Sequence, residues 1–308
     1  MKQTYLTKTW VVAGLAFICC LLWGSAIPTI KTGYRLMEVG ASDTASQIVF
    51  AGIRFTLAGL LVILFACIRE RKVILPGKNV IKLAFPLCLA QTVGQYFFFY
   101  VGVAHTSGVK GSIINGLGNF VAILMSCLVF RRERMTGNKL LGCALGFAGV
   151  VVINLMGNQL DGGFRLIGEG SIFIAQLAYA LSTVLINKFS RQESPVILSG
   201  CQFFIGGLLL LGIGLGMGGR LNHGSAAAAG ILLYLALVSA VAYTLWSVLL
   251  AYNPVSKVAI YGFINPLCSV ILSALILGET AQAFRLGSLS ALALVCVGIF
   301  VVNRGQSV

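Results

Sequence analysis

The sequence predicts an all-α integral membrane protein of ten transmembrane helices, arranged as two inverted five-helix repeats. Three observations predict it. Of the 308 residues, 58% are hydrophobic and only 10% are charged, where a soluble domain carries roughly 25% charged. Ten apolar runs follow one another, each near the roughly 20 residues that cross a bilayer as a helix. The second five runs echo residues of the first five, and an odd number of crossings per copy turns the second copy over in the membrane.

The first run, Trp10 to Thr29, follows Lys2 and Lys8 and is long for the core of a signal peptide, so it reads as a permanent helix. The second, Ala45 to Ile68, stops at the charged stretch Arg69 to Lys72. The third, Val80 to Val101, opens after Pro76-Gly77, and the fourth, Val109 to Phe130, stops at Arg131, Arg132 and Glu133. The fifth, Leu140 to Met156, runs into a segment of Gly, Asn and Asp. The sixth is Gly170 to Phe189, and the seventh, Val196 to Met217, opens behind Pro195 and closes in Gly218-Gly219. The eighth, Ala227 to Ala251, ends before Asn253-Pro254; the ninth, Val258 to Leu277, ends at Gly278-Glu279; the tenth, Leu286 to Val302, follows Arg285. Few charges and no strict alternation favour helices over the strands of an outer-membrane barrel. In lipid a helix also satisfies its own backbone groups.

Topology follows from the basic residues. With the N-terminus inside, the inner segments hold Lys2, Lys8, Arg69, Arg71, Lys72, Lys78, Lys82, Arg131, Arg132, Arg134, Lys139, Lys188, Arg191, Lys257 and Arg304. The outer ones hold only Lys31, Arg35, Lys110, Arg165, Arg220 and Arg285. That asymmetry places both termini in the cytoplasm, in a multi-pass protein of the cytoplasmic membrane. The formal charge of +14 is then an orientation signal with some attraction for anionic lipid, and nucleic acid is not an expected partner. The nine cysteines lie in apolar runs with no CxxC and read as small buried hydrophobes. His105 and His223 sit at outer ends of spans and cannot build a metal site alone, so no metal or cofactor is expected.

The repeat is visible residue by residue. AGIRFTLAGLL, residues 51–61, aligns with SGCQFFIGGLL, residues 199–209, matching Gly52 with Gly200, Phe55 with Phe203, Gly59 with Gly207 and both closing leucines. Gly142, Gly149 and Asn154 in the fifth run are spaced as Ala291, Gly298 and Asn303 are in the tenth. Asn119-Phe120 and Asn265-Pro266 each precede a glutamate, with thirteen positions from Phe120 to Glu133 and from Pro266 to Glu279. The repeats are assigned to residues 1–157 and 158–308, with Glu133 at the cytoplasmic end of the fourth helix and Glu279 at the outer end of the ninth.

At these positions the chain resembles the EamA-type transporters of the drug/metabolite transporter superfamily. The Trp23-Gly24 pair, the Arg54-Phe55 pair, the spacing to Glu133 and Glu279, and the Gly-rich fifth and tenth helices carry the resemblance over essentially the whole chain. It implies two inverted halves around a central cavity lined mainly by the first, third, fourth, sixth, eighth and ninth helices, moving amino acids and other small metabolites. The chain departs from the pattern at Phe120, where the first half lacks the proline; a kink is expected at Pro266 and is less expected in the fourth helix.

Arg54 stands in the middle of the second run, about 14 Å from its outer end at 1.5 Å per residue. A lone arginine at that depth is costly unless it faces protein or water. It is therefore expected either to anchor on helix-end carbonyls or to border a wet cavity, where it would gate or attract an anionic solute. All the carboxylates, Glu38, Asp43, Glu70, Glu133, Asp161, Glu169, Glu193 and Glu279, fall at span ends or in loops. The first helix also lacks the glutamate that small multidrug exporters use, which favours facilitated diffusion or exchange over proton antiport. Glu133 and Glu279 are assigned electrostatic or gating roles at helix ends.

Amides and aromatics inside the spans mark the expected cavity. They are Trp23 in the first helix; Gln91, Gln95, Tyr96, Tyr100 and Phe98 or Phe99 in the third; Asn115 and Asn119 in the fourth. The sixth contributes Gln176 and Tyr179, the eighth Tyr243 and Trp246, and the ninth Tyr261 and Asn265. Buried amides need partners, and either a wet cavity or a neighbouring helix supplies them. Gly142, Gly146 and Gly149, with Gly206, Gly207, Gly212, Gly214, Gly216 and Gly218 in the seventh helix, are expected to allow close helix packing. No paired carboxylates, HExxH or Ser-His arrangement points to an enzyme, and a fused repeat suits a rocking carrier better than a channel. The expected function is a secondary transporter of amino acids or related zwitterions, with a drug exporter as the alternative. Its expected partners are a small-molecule substrate and the lipid bilayer, and the protein would act as a monomer or weak dimer.

Overall fold

The structure, a computed structural model, describes residues 5–156, 164–222 and 225–303. Asp161, His223 and Arg304 lie outside the described residues. Ten helical spans succeed one another among those described: α1 Thr9–Leu36, α2 Thr44–Glu70, α3 Lys78–His105, α4 Gly108–Val129, α5 Gly137–Met156, α6 Leu166–Phe189, α7 Pro195–Gly216, α8 Ala226–Tyr252, α9 Val255–Leu277 and α10 Leu286–Asn303. Eight are long and apolar enough to cross a membrane, and the apolar stretches of α5 and α10, Gly137–Ile153 and Leu286–Val302, are shorter.

Short polar contacts gather the connections at two faces. At the N-terminal face Lys257 Nζ donates to the Thr7 carbonyl (2.7 Å), Asn253 Nδ2 to the Leu6 carbonyl (3.0 Å) and Asn79 Nδ2 to Glu193 (2.6 Å). At the opposite face Lys31 Nζ donates to the Thr106 carbonyl (2.6 Å) and Asn222 Nδ2 to Glu38 (3.2 Å).

The closest helix pairs are α2 with α7 and α5 with α10. Glycine makes them possible. A β-carbon on Gly52 would overlap the Leu211 backbone, one on Gly59 the Phe204 backbone, one on Gly207 the Thr56 backbone, and one on Gly142 the Gly298 carbonyl. Lipid supplies no hydrophobic drive to bring helices together, so such close van der Waals contact is what holds them. Gly214 packs in the same way on the Val49 backbone and Gly206 against the Thr92 side chain of α3, but Gly212 and Gly216 face open space, and Gly218 closes α7 at φ +86°. The expectation of packing therefore fails at those three. Phe120 lays its ring on Gly146 in α5.

Besides the π-helical turns that open α6 (Leu166–Gly170) and end α4 (Met125–Val129), four helices depart from regular α geometry in their interiors. α1 does not stop near Thr29 but continues to Leu36, interrupted at Gly24-Ser25, because Pro28 withholds the N–H that the Gly24 carbonyl would accept. Lys31 and Arg35, expected in a loop, therefore ride on α1. α3 contains a π-helical turn over Leu89–Gln95, shortly after Pro86. α4 breaks at Gly116 although it lacks the proline, since glycine weakens a helix interior on its own. α9 tightens into a 3-10 turn, Ile260–Phe263, just ahead of Pro266. The breaks in α1, α4 and α9 face one another in the middle of the bundle.

Candidate functional site

The breaks and the end of the π turn open a central cavity between the halves. It has about 50 Å³ of room for water-sized molecules, enough for a few waters. α1 contributes Cys20, Trp23, Ala26 and Ile27; α2 Arg54; α3 Gln95, Tyr96 and Phe99; α4 Asn115 and Asn119; α6 Gln176 and Tyr179; α8 Tyr243; and α9 Gly262 and Asn265. A β-carbon on Gly262 would meet the end of the Asn119 side chain, so a larger residue there would push that amide aside.

Arg54 is 1% exposed. Its Nε donates to the Leu235 carbonyl (3.1 Å) and Ser239 Oγ (3.0 Å) on α8, and its Nη1 to the Tyr100 hydroxyl (2.9 Å). The guanidinium also lies over the rings of Phe55 (5.0 Å) and Tyr96 (5.8 Å). Arg54 thus ties α2 to α8 through a carbonyl within that helix, not through the helix-end carbonyls expected, and it lies on the cavity wall. Among the described residues the ion pairs are Arg69–Glu70, Lys110–Glu169 and Lys139–Glu133, and none involves Arg54.

The remaining wall is aromatic and amide. The Tyr96 and Tyr243 hydroxyls are hydrogen bonded to each other, and Gln95 Nε2 donates to Tyr243 (3.4 Å). Trp23 packs on Tyr243 with ring centroids 4.8 Å apart. Gln176 Nε2 donates to Asn115 Oδ1 (2.8 Å). Trp23 Nε1, Gln95 Oε1 and Asn265 Oδ1 are buried without a hydrogen-bond partner among the described residues. A buried polar atom left so is costly unless water or a ligand meets it.

Of the residues picked from sequence, Trp23, Gln95, Tyr96, Asn115, Asn119, Tyr179, Tyr243 and Asn265 come together on this wall. Trp246 and Tyr261 do not. Trp246 stands behind Trp23, with ring centroids 5.0 Å apart, and Tyr261 packs partly buried against an apolar cluster that includes Trp246. Gln91 is also diverted, its Oε1 accepting from Gln202 Nε2 on α7 (2.8 Å). Cys20, Ala26, Ile27 and Gly262 were not expected; the Pro28 and Pro266 breaks beside them were the available signal.

Glu133 and Glu279 lie away from the cavity, at the two faces. Glu279 accepts the backbone N–H groups of Gly108 (3.0 Å) and Val109 (2.9 Å), the first residues of α4. Glu133 accepts the N–H of Ser256 (3.2 Å), in the first turn of α9, and the Lys139 ammonium (2.9 Å). Each glutamate thus caps the first turn of a helix in the other half, where the helix dipole favours negative charge. Burial alone would raise the Glu133 pKa, but Lys139 and Ser256 outweigh it and hold the carboxyl below its ordinary value of 4.5. The stability from this capping is therefore complete above that ordinary value and lost as pH falls through the lowered one. Melting temperature followed downward from neutral pH should show this loss in the wild type and lack it in Glu133→Gln; identical acid profiles would remove Glu133 from the account.

The model of the EamA-like transporter family matches this sequence twice, at residues 10–155 and 166–304. The uncharacterized transporter YvbV of Bacillus subtilis is 27% identical, across 98% of this chain and 94% of its own. An uncharacterized transporter of Archaeoglobus fulgidus is 24% identical, across 96% of this chain and 99% of its own. A chloroplastic WAT1-related protein of Arabidopsis thaliana is 26% identical, across 98% of this chain and 70% of its own. A chain from a solved crystal structure superposes with a TM-score of 0.64 at 18% identity, covering 95% of this chain and 96% of that one, a likeness of fold.

Proposed function

The chain belongs to the EamA-like transporter family and is a multi-pass membrane transporter, and from that premise we propose that it is a secondary carrier of small metabolites, amino acids and related zwitterions first among them. It works by alternating access across the cytoplasmic membrane, with two inverted five-helix repeats rocking about the central cavity and both termini in the cytoplasm. The observation that carries the reading is the set of unpartnered polar atoms, Trp23 Nε1, Gln95 Oε1 and Asn265 Oδ1, on a mid-bundle wall built where three helices break. Broken helices around a midplane site are how carriers present backbone and amide groups to a solute. The twofold family match and the reciprocal capping by Glu133 and Glu279 support the repeat. The excess of Lys and Arg at the N-terminal face supports the orientation.

Among the described residues the cavity wall holds no carboxylate, so the carrier works by facilitated diffusion or exchange. Liposomes loaded with mixed amino acids should then show counterflow of labelled ones with no pH gradient imposed. Alanine at Asn119, Tyr243 and Asn265 should reduce that flux at unchanged expression. Uptake only under a pH gradient would refute the exchange mechanism, and unchanged flux in the alanine variants would refute the site.

A further inference from the structure

Resting on the reading of this cavity as a solute site, we propose that Arg54 is its anion pole, holding a carboxylate of the solute, while Gln95 Oε1 and Asn265 Oδ1 accept hydrogen bonds from the solute's amino group. The carrier thereby takes carboxylate-bearing solutes and turns away amines that lack one.

The charge is the first argument. A guanidinium stays protonated at any physiological pH, and this one is 1% exposed in the middle of a membrane bundle. Its hydrogen-bond acceptors, the Leu235 carbonyl, the Ser239 hydroxyl and the Tyr100 hydroxyl, are all neutral. No carboxylate among the described residues pairs with it, and the faces of Phe55 and Tyr96 compensate only in part. A bound carboxylate would complete the balance, in the planar geometry that arginine favours.

The matched position in the other half is the second. Gln202, which aligns with Arg54, accepts from Thr92 Oγ1 (2.7 Å) and donates to Gln91 (2.8 Å), joining α7 to α3 with a neutral side chain. Anchoring a helix at this position needs no charge. The difference between the halves lies on the cavity side, where Arg54 forms part of the wall and Gln202 does not.

The unpartnered atoms are the third. Gln95 is 4% exposed, and its Oε1, like Asn265 Oδ1, has no protein donor. Trp23 Nε1 adds an unused donor on the same wall. A site with a fixed cation, one spare donor and two spare acceptors is complementary to a solute carrying both a carboxylate and an amine. It repels a solute that is cationic throughout.

The test uses full-length protein and matched triplets built on phenylalanine, leucine and threonine: the amino acid, the amine left by decarboxylation, and the acid left by deamination. Thermal stabilisation in detergent and inhibition of counterflow in liposomes are read for each. The wild type should respond to at least one amino acid, more weakly to its acid, and not to its amine. Arg54→Gln should weaken the response to the amino acid about ten- to a hundredfold, the value of a hydrogen bond to a charged group, and should erase the preference over the amine. Arg54→Lys should keep the preference at reduced affinity. Tyr100→Phe, which leaves the charge but removes a group that positions it, should also keep it. An amine as effective as its amino acid on the wild type overturns the anion pole and leaves the carrier standing, as does a folded Arg54→Gln protein that still discriminates. Failure of every triplet to produce a response overturns both. If Arg54→Gln does not fold, the wild-type triplets and Arg54→Lys decide.

Discussion

Gly59→Leu should leave no monodisperse protein after detergent extraction, while Gly212→Ala on the facing helix should be neutral or slightly stabilising. A β-carbon on Gly59 would occupy the space of the Phe204 backbone, and one on Gly207 that of the Thr56 backbone, so α2 and α7 interlock through both. A flexible side chain could turn aside, but the overlap is with main chain held in its own helical hydrogen bonds. Forcing extra atoms into a packed interface costs about 1–3 kcal/mol where side chains can adjust. A bulky group against backbone belongs at or above the top of that range, a large share of the roughly 5–15 kcal/mol that holds a typical fold together. Gly212 has nothing within 4 Å of its β position, so alanine there gains about 0.5–1 kcal/mol of helix propensity with nothing to strike. Fluorescence-detected size exclusion and a melting curve on both variants check this. Similar profiles for the two would mean that the α2–α7 interface is looser than its geometry implies.

That contrast also marks how far the sequence could be read. The ten spans were legible because lipid requires long apolar runs, and every described helix except α1, which continues past Thr29 to Leu36, lies within a few residues of its expected place. Gly59 and Gly207 were legible because the repeat aligns them; Gly212 and Gly216 look the same in sequence and differ only in which way the helix turns them. The cavity was partly legible. Amides and tyrosines in a span are conspicuous, so Asn115, Asn119, Tyr243 and Asn265 could be picked out. Gln91 shared their chemistry but was claimed by Gln202, a pairing between helices far apart in the chain. The break in α4 at Gly116 was hidden because glycine is common in these spans, and only tertiary structure decides which glycine yields. The reciprocal capping was hidden too: the equal spacing to Glu133 and Glu279 was visible, but not that each reaches the other half's helix start.

Lys110→Met should lower stability more than any cavity substitution, and Lys110→Met combined with Glu169→Leu should recover most of the loss. Lys110 was expected in an outer segment, yet it lies in the first turn of α4, its Nζ 3.0 Å from Glu169 on α6 and the two side chains 2% and 3% exposed. Glu169 also accepts from Thr106 Oγ1 (2.9 Å) and from the Arg165 N–H (2.7 Å), while Lys31 on α1 donates to the Thr106 carbonyl (2.6 Å). Glu169 thus ties α6 to α4 and to the α3–α4 connection, and Lys31 tethers α1 to that same connection. Replacing Lys110 alone takes the cation from a carboxylate that is 3% exposed, a change worth up to about 3–5 kcal/mol, whereas replacing both charges with apolar groups is often close to neutral. The coupling should appear as strong non-additivity in a double-mutant cycle read by melting temperature. Additive losses would mean that water already reaches the pair. If the proposed alternating access opens this face, α4 and α6 must part here and the Lys110–Glu169 ion pair must break. The double variant, stable but without the ion pair, should therefore admit a membrane-impermeant thiol reagent to Cys20 on the cavity wall faster than the wild type does. Equal labelling rates would show that the closed face is held by the apolar packing around the pair and not by the pair itself.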